Sequence, residues 1–98
     1  MSYKNNIINY IKSRGSRENP VLSHEIEDKF KTHGTTVRKT INSARCEGIP
    51  ICSSEKGYFY SDDRTDIVDT IQNLMNRTMS VEKAIKGLVS NLKEGENA

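Results

Sequence analysis

The sequence predicts a mainly α, α+β protein in which three helices and a β-hairpin precede a C-terminal helical element. Three observations lead to this fold class. Apolar residues recur every three or four positions through residues 3–47, as they do on one face of an α-helix. Two short β-prone runs follow within residues 49–60. A seam of apolar residues at steps of four and three then continues to residue 92.

The first helix is predicted over residues 3–14. Its apolar members recur at helical spacing and mark the face expected in the core: Tyr3, Ile7, Ile8, Tyr10 and Ile11. Gly15 and Ser16 are expected to end this helix, and the Pro20 that follows is typical of a loop.

A second, shorter helix is predicted directly after this loop. Ser23 is a suitable N-cap, because a serine hydroxyl accepts a hydrogen bond from a free N–H of the first turn. Leu22, Ile26 and Phe30 are spaced four apart and are expected to face the core. Gly34 is expected to cap the helix at its C-terminus in a left-handed conformation.

The third helix is predicted over residues 35–47, with Thr35 or Thr36 as its N-cap and Gly48 closing it. One apolar stripe is expected in the core: Val37, Ile41 and Ala44. At about 100° per residue, polar side chains point away from that stripe. They are Thr35, Thr36, Lys39, Asn42, Ser43 and Cys46, with Arg38 and Arg45 on the flank.

A change of period marks a β-hairpin. Residues 49–52 form a β-prone run that carries Pro50 near its start, where an edge strand tolerates proline. Residues 53–57 are predicted as a five-residue, Gly-containing loop, and residues 58–60 as the second strand.

Residues 62–95 are predicted to be wholly helical and to carry a heptad seam used for self-association. Its apolar members are Ile67, Ile71, Leu74, Val81, Ile85, Leu88 and Leu92, with Thr78 as the polar member. Val68, Met75 and Val89 widen the stripe, which favours a helical bundle over a two-stranded coil. Residues 78–80 are a possible break, so one long helix and a helical hairpin both remain open, as does an ordinary helix that packs on its own core.

The net charge of +2 is the sum of two unlike halves. Residues 1–60 carry ten Lys and Arg against six Asp and Glu, a net of +4, whereas residues 61–98 carry five against seven, a net of −2. A basic helix-rich part and an acidic helical part are therefore predicted, with the boundary of the two domains at residues 60 and 61.

Several classes of protein are excluded or made improbable by composition. No apolar stretch approaches the roughly 20 residues that cross a bilayer. The first residues lack the apolar region and cleavage site of a signal peptide, and Cys46 and Cys52 are too few for a disulfide framework. We therefore expect a cytoplasmic protein without a membrane partner.

The order of two helices, a tight turn, a third helix and a hairpin resembles the winged helix-turn-helix domain at the N-terminus of biotin-operon-repressor-type bacterial regulators. The resemblance covers roughly residues 3–60. It rests on the Leu22-Ser23 start of the second helix, on Val37 and Ile41, and on Gly-Ile-Pro-Ile at 48–51 and Gly-Tyr-Phe-Tyr at 57–60. The whole chain also looks like small DNA-binding proteins of phages and prophages of Gram-positive bacteria.

This resemblance implies that the third helix enters the major groove of double-stranded DNA. Arg38 is then expected to pair with guanine and Asn42 with adenine, because their side chains match the edges of those bases. Lys39 and Arg45 are expected at phosphates, and Lys56 at the hairpin tip near a phosphate or the minor groove. The expected DNA-binding set is Thr35, Thr36, Arg38, Lys39, Asn42, Ser43, Arg45 and Lys56.

The favoured function is a homodimeric, sequence-specific transcriptional regulator. A phage or plasmid replication or maintenance factor that binds an origin-like site is an alternative, as is a protein–protein adaptor without DNA binding. Catalysis is not expected, because His24 and His33 have no matching carboxylate or cysteine arrangement. The sequence points to no cofactor, metal or small-molecule ligand.

Overall fold

The computed structural model describes the backbone of residues 3–97 and the side chains of residues 4–92. The elements in order are α1 (Tyr3–Arg14), α2 (Ser23–Phe30), α3 (Gly34–Cys46), β1 (Ile51–Ser54), β2 (Gly57–Tyr60) and α4 (Arg64–Asn97). The protein is thus mainly helical α+β, and this order of elements is compatible with a winged helix. The side chain of Tyr3, which we predicted on the apolar face of α1, lies outside the described residues.

The chain divides into two compact units, Met1–Ile67 (unit 1) and Val68–Ala98 (unit 2). Unit 1 contains α1 to β2 and the first turn of α4. Unit 2 contains the rest of α4.

The core of unit 1 confirms most of the predicted apolar faces. Its buried members are Ile7, Ile8, Ile11, Val21, Ile26, Val37, Ile41, Ala44 and Ile51, and the partly buried rings of Tyr10, Phe30, Tyr58 and Tyr60 pack against them. The prediction for Leu22 was wrong, because this side chain is 42% exposed. Its neighbour Val21 is buried instead, since the extended residue before α2 alternates its side chains as a strand does.

The hairpin is tighter than predicted. β1 and β2 pair antiparallel from Ile51 opposite Tyr60 to Ser54 opposite Gly57, which leaves a loop of two residues, Glu55 and Lys56. Val21 adds a one-residue bridge to β2: its N–H donates to Tyr58 O over 2.7 Å and its carbonyl accepts from Tyr58 N over 2.8 Å. This bridge joins the start of α2 to the sheet.

Gly57 makes that bridge possible. Its φ is +146°, and a Cβ at this position would lie 2.4 Å from Val21 O. A side chain would therefore collide with the backbone that β2 pairs with.

Three predicted helix caps were wrong. The N-cap residues are Leu22 for α2 and His33 for α3, and neither donates or accepts a side-chain cap bond. Ser23 lies inside α2 and donates to Glu27 Oε2 over 3.3 Å. The left-handed residue after α2 is Lys31, with φ 51° and ψ 54°, and not Gly34, which begins α3. The turn at Lys31 is closed by backbone bonds to Glu27 O, which accepts from Lys31 N and from Thr32 N over 3.0 Å.

α4 begins at a capped turn and continues without a break. Asp63 Oδ1 accepts from Thr65 N over 2.8 Å and so caps the first turn. Residues 78–80 do not break the helix: within it, Thr78 Oγ1 donates to Leu74 O over 3.1 Å and Ser80 Oγ to Asn76 O over 3.2 Å. These hydroxyls bond back into the helix, and α4 is one element of 34 residues.

Unit 2 presents a long row of exposed apolar side chains. They are Val68, Ile71, Met75, Met79, Val81, Ile85, Leu88, Val89 and Leu92. No helix in the described part of the chain is both long enough and apolar enough to cross a membrane.

Candidate nucleic-acid interface

The outward face of α3 is fixed by what the opposite face buries. Val37, Thr40, Ile41 and Ala44 are buried, so the intervening positions project into solvent. Most of the predicted DNA-binding residues of this helix are exposed: Thr35, Arg38, Lys39, Asn42 and Ser43, with Thr36 half-buried. The structure therefore brings four of them, Thr35, Arg38, Lys39 and Asn42, onto one accessible surface, which we call the α3 face.

Arg38 lies at the amino-terminal end of the α3 face. Its Nη2 donates to Thr35 Oγ1 over 3.4 Å, one turn back along the helix. A Cβ on Gly34 would lie 3.4 Å from Arg38 Nη1 and 3.6 Å from the carboxylate of Glu27. Both distances are ordinary van der Waals contacts, so the guanidinium and the Glu27 carboxylate both lie beside the turn between α2 and α3.

The cations of the α3 face keep their charge available. Within residues 4–92, ion pairs join Lys4 to Glu47 and Arg17 to Asp66. Neither Arg38 nor Lys39 has an acidic partner at ion-pair distance. An exposed helix surface with uncompensated cations attracts polyanions.

The carboxyl-terminal half of α3 is occupied by α1. Lys4 Nζ donates to Ser43 Oγ over 2.8 Å and also pairs with Glu47. Ser43, although exposed, is thus already bonded within unit 1. The accessible part of the helix is therefore the surface from Thr35 to Asn42.

Arg45 has a structural role that the sequence did not indicate. Its Nε donates to Ile51 O over 2.7 Å, and its Nη2 donates to Ser53 Oγ over 3.3 Å. The guanidinium therefore ties the last turn of α3 to β1. A fork of donors in fixed geometry suits this bridge, which a lysine would not reproduce.

Lys56 lies apart from the α3 face, in the two-residue loop of the hairpin. Its side chain is exposed, and its backbone N–H donates to Ser54 Oγ over 3.2 Å. It lines an open cleft of about 740 Å³ together with Arg14, Pro20 and Leu22. The hairpin tip therefore faces the loop between α1 and α2.

Several other cations of unit 1 lie over its own aromatic rings. Lys12 Nζ is 4.8 Å from the centroid of the Tyr60 ring, and Lys29 Nζ is 5.1 Å from that of Tyr10. Tyr10 Oη donates to Glu25, and this hydrogen bond, with a smaller effect of burial, raises the pKa of Tyr10 above its ordinary value of 10.0. Much of the basic charge in residues 1–60 is thus held by intramolecular contacts away from α3.

Sequence reasoning missed one exposed cation beside the α3 face. Lys31 occupies the left-handed position in the turn between α2 and α3 and is exposed. Its position in the turn directly before α3 was available in the sequence as a signal. The partners of Lys4 and Arg45 had no such signal, because they lie far away in the sequence or on another element.

The described side chains contain no group of three or more His, Cys, Asp and Glu residues that would hold a metal ion. Cys46 is exposed at the end of α3 and Cys52 is buried in β1, and neither forms a disulfide. Comparisons of the chain with protein-family models, with curated proteins and with solved structures found no significant match.

Proposed function

We propose that this protein is a winged helix-turn-helix DNA-binding protein, that it places α3 in the major groove of double-stranded DNA, and that it acts as a homodimeric transcriptional regulator. One observation carries the proposal. Arg38, Lys39 and Asn42 lie together on the exposed side of a helix whose other side is wholly in the core. An α-helix fits the major groove, where such side chains distinguish base pairs.

The roles of these residues follow from their chemistry. Arg38 is assigned to guanine through its two parallel N–H donors, and Asn42 to adenine through its amide. Lys39 is assigned to a phosphate, as is Lys31 in the preceding turn, because a flexible ammonium positions a protein without reading sequence. Thr35 and Thr36, in the first turn of α3, are assigned to the DNA backbone, with Lys56 as a separate contact from the hairpin.

Arg45 supports the interface in a different way from the phosphate contact predicted for it. Two of its donors are used on Ile51 O and Ser53 Oγ, so its main contribution is to hold α3 against the hairpin. It is a positioning residue in this proposal.

Self-association supplies the second half of the function. One short helix reads only a few base pairs, whereas two copies read a two-fold site with a spacing set by the dimer. The exposed apolar row of unit 2 supports this part of the proposal, because an apolar stripe of this length on a free helix is rarely left to solvent.

The test begins with selection of bound fragments from random double-stranded DNA, followed by binding titrations on the enriched site. Combined substitution of Arg38, Lys39 and Asn42 by alanine is expected to lower specific affinity by at least a hundredfold, since each well-made base contact contributes about 1–3 kcal/mol. Lys83→Ala, which removes an exposed cation from α4, is the matched control and is expected to leave affinity unchanged.

Salt dependence separates this function from that of a protein adaptor. Binding through several phosphates falls steeply as salt increases, and Lys39→Ala is expected to reduce the slope of log K against log salt by about 1. A protein without affinity for DNA at low salt, or a triple variant that binds like the wild type, would refute the assignment. Bound sites clustered inside a replication origin, and not beside promoters, would replace regulation by the replication role.

A further inference from the structure

We infer that the exposed seam of unit 2 pairs with a second copy of this chain as a parallel, in-register, two-stranded coiled coil. The inference rests on the proposed self-association and adds its orientation and strand number. It differs from the helical bundle predicted from the sequence, where Val68, Met75 and Val89 widen the apolar stripe. Three features of α4 support it independently.

The first feature is the choice of residues along the seam. The steps of four and three put Ile71, Thr78, Ile85 and Leu92 at the a positions of successive heptads, and Leu74, Val81 and Leu88 at the d positions. A β-branched residue at a combined with leucine at d favours two parallel strands. Two heptads, Ile71 with Leu74 and Ile85 with Leu88, have this combination.

The second feature is the pairing across the edges of the seam. In a parallel pair, each g residue lies beside the e residue five positions further along the partner helix. Arg77 then meets Glu82 of the second copy, and Ala84 meets Val89. By symmetry each contact occurs twice, so opposite charges meet on both sides.

An antiparallel pair does not bring the charged residues Arg77 and Glu82 together. The register that overlaps the whole seam places Ile71 opposite Leu88 of the second copy. It then puts Arg77 against Ala84 and Glu82 against Met75, which leaves each charge facing an apolar side chain. Edge charges commonly set the orientation of coiled coils in this way.

The third feature is Thr78, the polar a residue. Because its Oγ1 already donates to Leu74 O over 3.1 Å, the hydroxyl retains a hydrogen bond when the seam closes. A polar residue at a single a position also favours the register in which it meets its own copy. The parallel, in-register arrangement satisfies this requirement, since Thr78 lies opposite Thr78.

Disulfide trapping in the full-length chain tests the orientation. The background is Cys46→Ser, which removes the exposed thiol and leaves the buried Cys52. Leu88→Cys is expected to form a covalent dimer with itself in oxidised glutathione. In the antiparallel register the two copies of residue 88 lie about 25 Å apart along the helix axis. In a mixture of the two single-cysteine variants, Leu88→Cys would then form a disulfide with Ile71→Cys.

Charge reversal provides a readout that does not depend on cysteine. Arg77→Glu is expected to weaken the dimer roughly tenfold at low salt, because attraction at two symmetric sites becomes repulsion. Glu82→Arg added to it is expected to restore the wild-type affinity. Sedimentation equilibrium over a concentration series measures both changes without DNA.

Each result either supports or overturns the inference. Self-linking of Leu88→Cys, a two-chain mass and rescue by the double reversal support it. Linking only to Ile71→Cys, a mass of three or more chains, or a monomeric wild type overturns it. Loss of DNA binding by the α3 variants leaves these readouts unchanged, so failure of the reading helix and failure of the coiled coil are separate outcomes.

Discussion

Arg45 offers the sharpest test of how unit 1 holds α3 against the hairpin. If the contacts to Ile51 O and Ser53 Oγ are its main role, Arg45→Ala removes a brace between α3 and β1. If it meets a phosphate instead, the same variant leaves the isolated protein unchanged. The two roles therefore differ in the free energy of unfolding as well as in DNA affinity.

The magnitude follows from the contacts. A hydrogen bond from a charged donor contributes about 1.5–3 kcal/mol, and the carbonyl it leaves belongs to Ile51, which is only 1% exposed. The second bond is longer, at 3.3 Å to Ser53 Oγ, and adds little. Alanine has the higher helix propensity, which offsets a few tenths of this loss. We expect Arg45→Ala to lower the free energy of unfolding by about 2 kcal/mol.

The assay is urea unfolding monitored by circular dichroism at one fixed protomer concentration, because the proposed self-association would make stability depend on concentration. Lys39→Ala is the control: it removes an exposed cation from the same helix and is expected to change stability by less than about 0.5 kcal/mol. Arg45→Lys, which keeps the charge and loses the fork, is expected to resemble the alanine variant. Unchanged stability of Arg45→Ala with a DNA salt slope reduced by about 1 would refute the brace.

Two further predictions concern the fold that supports this site. Gly57→Ala is expected to destabilise unit 1 by more than about 2 kcal/mol in the same urea assay, because its Cβ would lie 2.4 Å from Val21 O at a φ of +146°; wild-type stability would contradict the described bridge. Because the pKa of Tyr10 is raised in the folded protein, the Tyr10 hydroxyl loses its proton at a lower pH in the unfolded chain than in the folded protein. The contribution of the Tyr10–Glu25 hydrogen bond to the free energy of unfolding is therefore complete below about pH 10 and declines as pH rises through the folded pKa. Tyr10→Phe is expected to lower stability near neutral pH and to flatten the decline above pH 10, measured as unfolding midpoints against pH; a decline identical to the wild type would contradict the bond to Glu25.

Local periodicity was enough to predict the order of the elements and most of the core. The stripes Ile7–Ile11 and Val37–Ala44 are buried as their spacing required, because a helix must cover its apolar face. The residues at which the helices and strands end were harder to predict from periodicity. Lys31 adopts the left-handed conformation assigned to Gly34, although local propensity favours glycine for that conformation.

The candidate site also has one part that the sequence predicts and one part that it does not. That Arg38, Lys39 and Asn42 share one exposed face follows from the helical period alone. The engagement of Ser43 by Lys4 and of Arg45 by the hairpin depends on contacts between different elements. No pattern within one helix contains that information, so two of the predicted contacts turned out to have partners inside unit 1.

The first turn of α4 has a consequence for how the chain folds. Asp66 accepts from Ser61 Oγ over 2.7 Å and pairs with Arg17, while Asp63 caps the same turn. Starting a helix is its unfavourable step, since several residues are ordered before one hydrogen bond forms, and each later residue adds a bond for itself. Because these contacts hold the first turn of α4 in place, we expect the remaining turns to form from it towards the C-terminus. Amide protection along α4 should accordingly decrease from its start towards its end in the monomer, and become even when a second helix is present.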